Sequence, residues 1–142
     1  MKIKVLLVDD EKEFVNALAQ RLELRGISAT TVYSGKGAIE IVEKIDFGVI
    51  VLDVLMPEIT GIDALKKIKK IKPNTPVIML TGQATVENAI KGMKLGAFDF
   101  LMKPADTELL FEKITQAYTL KFEHEERIRQ AEIENILKTK GW

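Results

Sequence analysis

Short apolar segments alternate with segments of helical periodicity along the 142-residue chain. The apolar segments are rich in β-branched residues, and those at residues 3–8 and 49–52 are nearly continuous apolar runs. Such runs are typical of parallel strands that are covered on both faces. The predicted strands are residues 3–8, 29–33, 49–52, 77–80 and 98–102.

Apolar residues at helical spacing follow each predicted strand. In the first such segment, Phe14, Leu18 and Leu22 lie at i, i+4 and i+8. Because strand and helix alternate five times, the sequence predicts an α/β domain with a doubly wound, five-stranded parallel sheet and helices on both faces. The apolar residues that share a face in the four later helices are Ala38, Ile41, Val42 and Ile45, then Leu65 and Ile68, then Val86, Ala89, Ile90 and Met93, and finally Leu110, Ile114 and Ala117.

Residues at the predicted helix ends agree with this division. Gly26 follows the first helix, and Gly96 ends the fourth in the way that a left-handed cap does. Asp106 or Thr107 is placed to cap the fifth helix. The connections are short, as α/β units require.

The fifth helical pattern continues past the expected domain edge. No Gly or Pro lies between about residue 109 and residue 140, so a single helix of about 30 residues, on the order of 45 Å long, is predicted. We expect residues 1–120 to form the domain and residues 121–142 to form a helical extension or linker. Phe122, Ile133, Ile136 and Leu137 lie loosely on one face of this extension. A solvated tail and a dimerisation helix both remain open interpretations, because the heptad pattern is irregular.

Composition and charge exclude several classes of protein. The chain has no cysteine, which excludes a disulfide scaffold and a cysteine–zinc module and fits a reducing compartment such as the cytoplasm. No apolar run approaches the roughly 18 residues that a membrane span needs. The 21 basic and 21 acidic residues are balanced, so the concentrated positive field of a nucleic-acid-binding protein is missing. We therefore expect neither membrane insertion nor direct DNA or RNA binding.

Polar residues follow the predicted strands at the edge where doubly wound sheets bind ligands. Asp9 and Asp10 follow the first strand, Asp53 follows the third, Thr81 follows the fourth, and Lys103 follows the fifth. A single polar residue at a strand end is an ordinary capping group. The convergence of three carboxylates, a hydroxyl and an ammonium group at one edge instead predicts a binding site.

Electrostatics indicates what the site binds. Two carboxylates about 4 Å apart repel each other by roughly 4 kcal/mol at an effective dielectric near 20. A hard divalent cation relieves this repulsion, and Mg²⁺ typically takes one or two carboxylates together with water and a phosphate oxygen. Asp9, Asp10 and Asp53 therefore predict a magnesium site, and Lys103 is placed to offset the remaining charge and hold a phosphoryl group.

Four motifs at these strand ends resemble the receiver domain of two-component response regulators. The resemblance covers about residues 1–120 and implies the flavodoxin-like strand order 2-1-3-4-5. The motifs are Val8-Asp9-Asp10, Leu52-Asp53-Val54-Leu55-Met56-Pro57 with Gly61, Leu80-Thr81-Gly82, and Gly96-Ala97-Phe98-Asp99-Phe100-Leu101-Met102-Lys103-Pro104.

The resemblance implies a metal-dependent phosphoacceptor. Asp53 matches the aspartate that takes a phosphoryl group from a sensor histidine kinase or a phosphotransfer protein. Asp10, Asp53 and the backbone carbonyl of Leu55 match ligands of Mg²⁺, with Mn²⁺ as a possible substitute, and Asp9 matches the residue that holds a metal-bound water. Leu55 and Gln83 flank the expected path of the hydrolytic water and should tune the phosphate lifetime.

The resemblance also implies a switch. Lys103 matches the lysine that pairs with the phosphoryl group, and Thr81 the hydroxyl that hydrogen-bonds to it. Lys103-Pro104 matches a peptide bond that is usually cis. In the family, movement of the hydroxyl lets an aromatic residue on strand five turn inward, and Phe100 holds that position. Because Phe100 has no polar tip, we expect it to favour the inward pose. The face of the fourth helix, fifth strand and fifth helix is then expected to bind a partner or a second copy of the chain.

Three alternatives bear on function. A phosphatase of the haloacid dehalogenase type needs an aspartate two residues after its nucleophile, where Asp53 is followed by Leu55. A flavin-binding protein is disfavoured because a loop that begins Asp9-Asp10-Glu11 would repel a phosphate unless a metal intervened. Within the family, the chain is either a complete single-domain regulator or the receiver and linker of a longer transcription activator. Residues 82–86 and 96–100 resemble nitrogen-regulation-type receivers, which often precede an ATPase and DNA-binding module.

Overall fold

The computed structural model describes residues 2–82, 86–104 and 106–141, and the side chain of Val86 is not described. All strands of the sheet pair in parallel, in the order β2-β1-β3-β4-β5. The predicted fold class and strand order are thus confirmed. The elements are β1 (Lys4–Val8), α1 (Lys12–Glu23), β2 (Ser28–Val32), α2 (Gly35–Lys44), β3 (Val49–Leu52), α3 (Gly61–Ile71), β4 (Val77–Thr81), α4 (Val86–Lys94), β5 (Asp99–Met102) and α5 (Thr107–Thr139).

The register of the central strands brings their carboxyl ends together. Val8 of β1 pairs with Leu52 of β3, and Leu52 pairs with Met79 of β4. The residues of β3 and β4 are all buried, as expected for parallel strands that are covered on both faces. Asp9 and Asp53, which directly follow Val8 and Leu52, therefore lie beside each other at one edge of the sheet.

Two apolar clusters, one on each face of the sheet, form the core. On one face, Leu6 and Ile50 of the sheet pack with the fully buried Ala38 of α2 and Leu65 of α3. On the other face, residues of β1, β3 and β4 pack with α1 and α5. The fully buried members of this second cluster include Val5, Leu22, Val49, Ile78, Leu110 and Ile114. This arrangement follows from the right-handed βαβ crossovers that parallel strands require.

Side-chain caps and left-handed residues set the helix ends. Ser34 accepts a hydrogen bond from the N–H of Gly37 at the start of α2, and Thr60 accepts one from Asp63 at the start of α3. Asp106 caps α5, as one of the two predicted capping residues. Gly96 has φ +101°, which confirms the predicted left-handed cap.

The described apolar side chains of α4 are only partly covered. Ile90 is 51% exposed and Met93 is 47% exposed, whereas Gly92 is buried. The helix packs beside β5, which is an edge strand. No further strand of the described sheet pairs with the outer edge of β5. Met102 of β5 is likewise 55% exposed. Three apolar side chains on α4 and β5 are therefore exposed, and they are called the α4-β5 patch below.

Helix α5 is a single helix of 33 residues, as the sequence predicts. Its first part is packed on the sheet through Leu110, Ile114 and Ala117. The ammonium group of Lys121 then donates to the carbonyl of Phe47 at 3.2 Å. Beyond this contact the large apolar residues of the helix are exposed; they are Phe122, Ile128, Ile133, Ile136 and Leu137. In the part of the chain that the structure describes, no helix has both the length and the apolar character to span a membrane.

Gly61 marks the closest backbone approach to the strand end at Asp53. A Cβ atom at this position would lie 1.9 Å from the carbonyl oxygen of Asp53 and 2.6 Å from the Cα of Val54. The N–H of Gly61 also donates to the carbonyl of Val54 at 2.7 Å. Only glycine permits this close approach.

We expect Gly61→Ala to lower the free energy of unfolding by about 1–3 kcal/mol, because the β3–α3 backbone must shift to accept the methyl group. Gly92→Ala is the matched control, since its Cβ would meet nothing closer than 3.7 Å. That substitution in a helix should change stability by about 1 kcal/mol or less. Chemical denaturation measures both. Equal stability of the two variants would contradict the close packing at Gly61.

Candidate functional site

The strand ends bring three carboxylates to one place. Asp9 follows β1 and Asp53 follows β3, and these two residues are only 3% and 4% exposed. Asp10 is exposed beside them. One oxygen from each side chain lies within 4.8 Å of the other two. These three residues are called the acidic cluster below.

The donor set of the acidic cluster suits a hard cation. Its ligand atoms are carboxylate oxygens, and no cysteine exists in the chain to offer a soft ligand. Mg²⁺ and Mn²⁺ prefer such oxygens, and Mg²⁺ is usually held by one or two carboxylates with water completing its shell. The exposed Asp10 leaves one side of the cluster open to solvent. The residues present therefore fit a divalent cation of this class.

Lys103 partly neutralises the cluster from the end of β5. Its Nζ atom lies 2.6 Å from Oδ2 of Asp9 and 3.8 Å from Oδ2 of Asp53. The same ammonium group lies 2.8 Å from Oε1 of Glu11 and 4.4 Å from the centre of the Phe14 ring. Glu11 is the N-cap of α1 and Phe14 lies in its first turn, and no sequence pattern predicts that either residue contacts Lys103. The one sequence feature that could have indicated these two contacts is that Glu11 and Phe14 closely follow Asp9 and Asp10 along the chain.

Burial raises the pKa of Asp53. The negative charge of Asp9 raises it further, whereas hydrogen bonds from the Thr81 hydroxyl and the Leu55 backbone and the positive charge of Lys103 lower it. The raising effects are the larger, so the pKa of Asp53 lies above its ordinary value of 3.8. The carboxylate is therefore less stable in this pocket than in water, and a cation at the cluster would favour its charged form.

The pKa of Lys103 is shifted in the direction that keeps it charged. Burial alone lowers this pKa, but the hydrogen bonds to Asp9 and Glu11 and the charges of Asp9 and Asp53 outweigh burial and raise it. An ammonium group that remains protonated over the physiological range supplies a fixed positive charge beside Asp53.

Thr81 and Phe100, the two expected switch residues, lie in the neighbouring strands β4 and β5. Thr81 ends β4, is 1% exposed and hydrogen-bonds to the carboxylate of Asp53. Phe100 is paired with Met79 across the β4–β5 ladder and packs, half-buried, against the core cluster on that face. Its inward preference stays a prediction.

Pro104 and Leu55, two further expected residues, lie in the segments that carry Lys103 and Asp53. The Lys103–Pro104 peptide bond is cis, and the N–H of Lys103 donates to the carbonyl of Thr81 at 2.9 Å. Leu55 is 47% exposed in the loop after β3. Gln83, the second residue expected to influence phosphate lifetime, lies outside the described residues.

A comparison with protein families decides the relationship. The family model described as the response regulator receiver domain matches residues 5–115. The chain belongs to this family. The acidic cluster, Thr81 and Lys103 of this receiver domain thus lie at the strand ends where the sequence motifs place them.

Individual relatives agree with this membership. Regulatory protein AtoC of Escherichia coli is 33% identical over an alignment of 123 residues that covers 84% of this chain and 27% of AtoC. Response regulator SaeR of Staphylococcus aureus is 33% identical over 133 residues, which are 93% of this chain and 58% of SaeR. The crystal structure of a CheY-like receiver domain protein from Methanospirillum hungatei matches with a TM-score of 0.84 and 27% identity, over 87% of this chain and 99% of that one. The receiver domain thus spans less than two thirds of both curated relatives.

The raised pKa of Asp53 makes a prediction about stability without metal. The folded state holds a proton on Asp53 at pH values where the unfolded chain has lost it, so stability falls as pH rises from about 4 through the raised pKa. Asp53→Asn removes this loss. In EDTA at pH 7 we expect the variant to be more stable than the parent by about 1 kcal/mol, and the difference should shrink as the pH approaches 4.

Thermal and chemical denaturation across this pH range measure the effect. Asp63→Asn, which removes an exposed carboxylate from the first turn of α3, is the control and should not reproduce the gain. An Asp53→Asn variant less stable than its parent at pH 7 in EDTA would contradict the charge repulsion inferred for the cluster.

Proposed function

We propose that this receiver domain accepts a phosphoryl group on Asp53 in a Mg²⁺-dependent reaction, with a sensor histidine kinase or a phosphotransfer protein as donor. The observation that carries the proposal is the meeting of the acidic cluster within 4.8 Å, with the ammonium group of Lys103 3.8 Å from Asp53. These residues combine a nucleophile, ligands for a cation and a second positive charge. Membership of the receiver family supports the same assignment.

In this proposal, Asp10, Asp53 and the carbonyl of Leu55 hold the Mg²⁺ ion, or Mn²⁺ in its place, and Asp9 holds a water of that ion. The cation supplies charge neutralisation at the phosphoryl oxygens. Asp9 has a second task, because its carboxylate accepts the N–H of Glu11 at 2.9 Å and contacts Lys103 at 2.6 Å. It thereby ties the loop after β1 to the end of β5.

The protein's own part in the transfer is positioning and charge compensation. A carboxylate oxygen of Asp53 forms the new bond to phosphorus while the bond from phosphorus to the donor's nitrogen breaks, and the imidazole leaves with its electron pair. A carboxylate is a weak nucleophile, so most of the rate must come from alignment and from cancelling charge. Lys103 offers its ammonium to the transferred group, and the Thr81 hydroxyl is already beside Asp53. The domain assists its own later dephosphorylation and does not turn over a separate substrate.

Phosphorylation then switches the face made of α4, β5 and α5. The hydroxyl of Thr81 moves toward the new phosphoryl oxygens, and Phe100 takes up the space that it leaves. The proposal is supported by the exposed apolar residues on this face, Ile90, Met93 and Met102. Such a patch on an otherwise charged surface is suited to a partner or to a second copy of the chain.

We further propose that residues 1–120 are the receiver unit and residues 121–142 a linker helix. The anchoring of Lys121 to Phe47, after which most residues of the helix are exposed, supports this boundary. The longer lengths of AtoC and SaeR support an output segment in a parent protein, and a stand-alone regulator is the alternative.

A homodimer could form through the α4-β5-α5 face or through the extension of α5, because both carry exposed apolar residues. Light scattering before and after phosphorylation distinguishes a dimer from a monomer.

The direct test is covalent labelling with a small phosphodonor. With acetyl phosphate and Mg²⁺, the parent chain should gain one phosphoryl group in intact-mass spectra, because acetyl phosphate presents the same transferable group as the kinase. Asp53→Asn should abolish the gain, and EDTA should reduce it strongly. Asp63→Asn, the matched aspartate on α3, should label like the parent.

Labelling that persists in Asp53→Asn would place the acceptor on another residue. If EDTA does not reduce the labelling of the parent, the metal dependence is contradicted, but the assignment of Asp53 as the acceptor stands.

A further inference from the structure

We propose that Glu11 is a positioning residue for Lys103, and that its carboxylate competes with phosphoryl oxygens for the lysine ammonium and so limits how tightly the pocket holds a phosphoryl group. This inference rests on the function proposed above. It concerns a residue that belongs neither to the acidic cluster nor to the expected switch.

The first observation is that Glu11 occupies the N-cap of α1 without capping it. The side chain accepts no hydrogen bond from the first turn of its helix. At the starts of α2, α3 and α5, Ser34, Thr60 and Asp106 do accept such a bond. Glutamate is not among the preferred N-cap residues, because the short side chains of Ser, Thr, Asp and Asn reach the backbone best. The carboxylate of Glu11 lies instead 2.8 Å from the ammonium of Lys103.

The second observation concerns the other partners of that ammonium group. A lysine ammonium has three N–H donors. One is engaged by Asp9 at 2.6 Å and a second by Glu11 at 2.8 Å, while Asp53 lies farther away at 3.8 Å. The Phe14 ring closes another side at 4.4 Å. Glu11 thus occupies a donor that an incoming phosphoryl oxygen could otherwise use.

Of the two carboxylates that contact the Lys103 ammonium group, that of Glu11 is the one that can more easily move away. Asp9 is buried and is fixed by a second hydrogen bond, from the N–H of Glu11. The side chain of Glu11 is 64% exposed, whereas that of Lys103 is 10% exposed. A carboxylate that moves into water is well solvated there, so breaking this contact costs less than breaking the contact with Asp9.

Two effects of Glu11 act in the same direction. Its carboxylate shares the positive charge of Lys103, and its own negative charge lies beside the place where an anionic group must enter. Removal of the carboxylate should therefore favour the phosphoryl-bound state. The backbone N–H that orients Asp9 is unchanged by substitution of the side chain, so the acidic cluster keeps its geometry.

The experiment compares the affinity of the parent chain and its variants for beryllofluoride in the presence of Mg²⁺, measured by NMR titration. Beryllofluoride mimics the phosphoryl group of an aspartyl phosphate without covalent chemistry. Glu11→Gln should bind it about threefold to tenfold more tightly than the parent, the range expected for loss of a partly exposed charged contact. Glu13→Gln removes the same charge two residues away, in the exposed first turn of α1, and should bind like the parent.

Glu11→Ser provides the second variant, because serine removes the carboxylate and can cap α1. It should show the same gain in affinity as Glu11→Gln even if the two variants differ in stability. About 0.5 M NaCl should reduce the difference in beryllofluoride affinity between the parent and Glu11→Gln, since screening weakens exposed charge interactions. A change in packing alone would not respond to salt in this way.

The possible failures are distinguishable. If the parent binds beryllofluoride and the two Glu11 variants bind it no better than Glu13→Gln, the role of Glu11 is overturned and the proposed function stands. If the parent does not bind beryllofluoride with Mg²⁺, both fall together. If Glu13→Gln raises the affinity for beryllofluoride as much as Glu11→Gln does, the change in net charge explains the gain. The specific role of the contact between Glu11 and Lys103 is then overturned.

Discussion

The repulsion among the acidic cluster is the constraint on which the site depends. Asp9 and Asp53 are almost fully buried, and Asp10 lies beside them at the mouth. Only one ammonium group, that of Lys103, contacts this cluster among the described residues. The negative charge therefore exceeds the positive charge in a region of reduced dielectric, where such an imbalance is costly. A cation that binds in a pocket of this kind stabilises the fold, because it offsets the repulsion among the carboxylates. Its positive charge also allows an anion to bind there.

The backbone makes this arrangement possible. Parallel pairing of Val8 with Leu52, and of Thr81 with Met102, sets the residues that follow these positions side by side. The close approach of Gly61 to the carbonyl of Asp53 holds the loop after β3 against the strand end. The central strands β1, β3 and β4 thus carry Asp9, Asp53 and Thr81, whereas Lys103 and the exposed α4-β5 patch lie at the edge strand β5, where fewer contacts resist movement.

Much of this could be predicted from the sequence, because strand ends and apolar periodicity are local properties. The alternation of elements, the long α5 and the convergence of Asp9, Asp53 and Lys103 follow from the order of residues and the geometry of parallel sheets; the strand order came from the resemblance. The partial exposure of Ile90 depends on which helix lies at the sheet edge. The contact of Glu11 with Lys103 depends on competition among several carboxylates for one ammonium group, which only the assembled side chains decide.

The most direct measurement of the central claim follows Mn²⁺ through its broadening of backbone amide signals in NMR. A single cation at the acidic cluster should broaden first the signals of residues 9–11, 53–56 and 103, well below one equivalent of Mn²⁺, and an excess of Mg²⁺ should restore them. Broadening that begins at Glu123, Glu125 and Glu126 on the exposed extension of α5, or that Mg²⁺ does not reverse, would contradict a shared metal site at the strand ends.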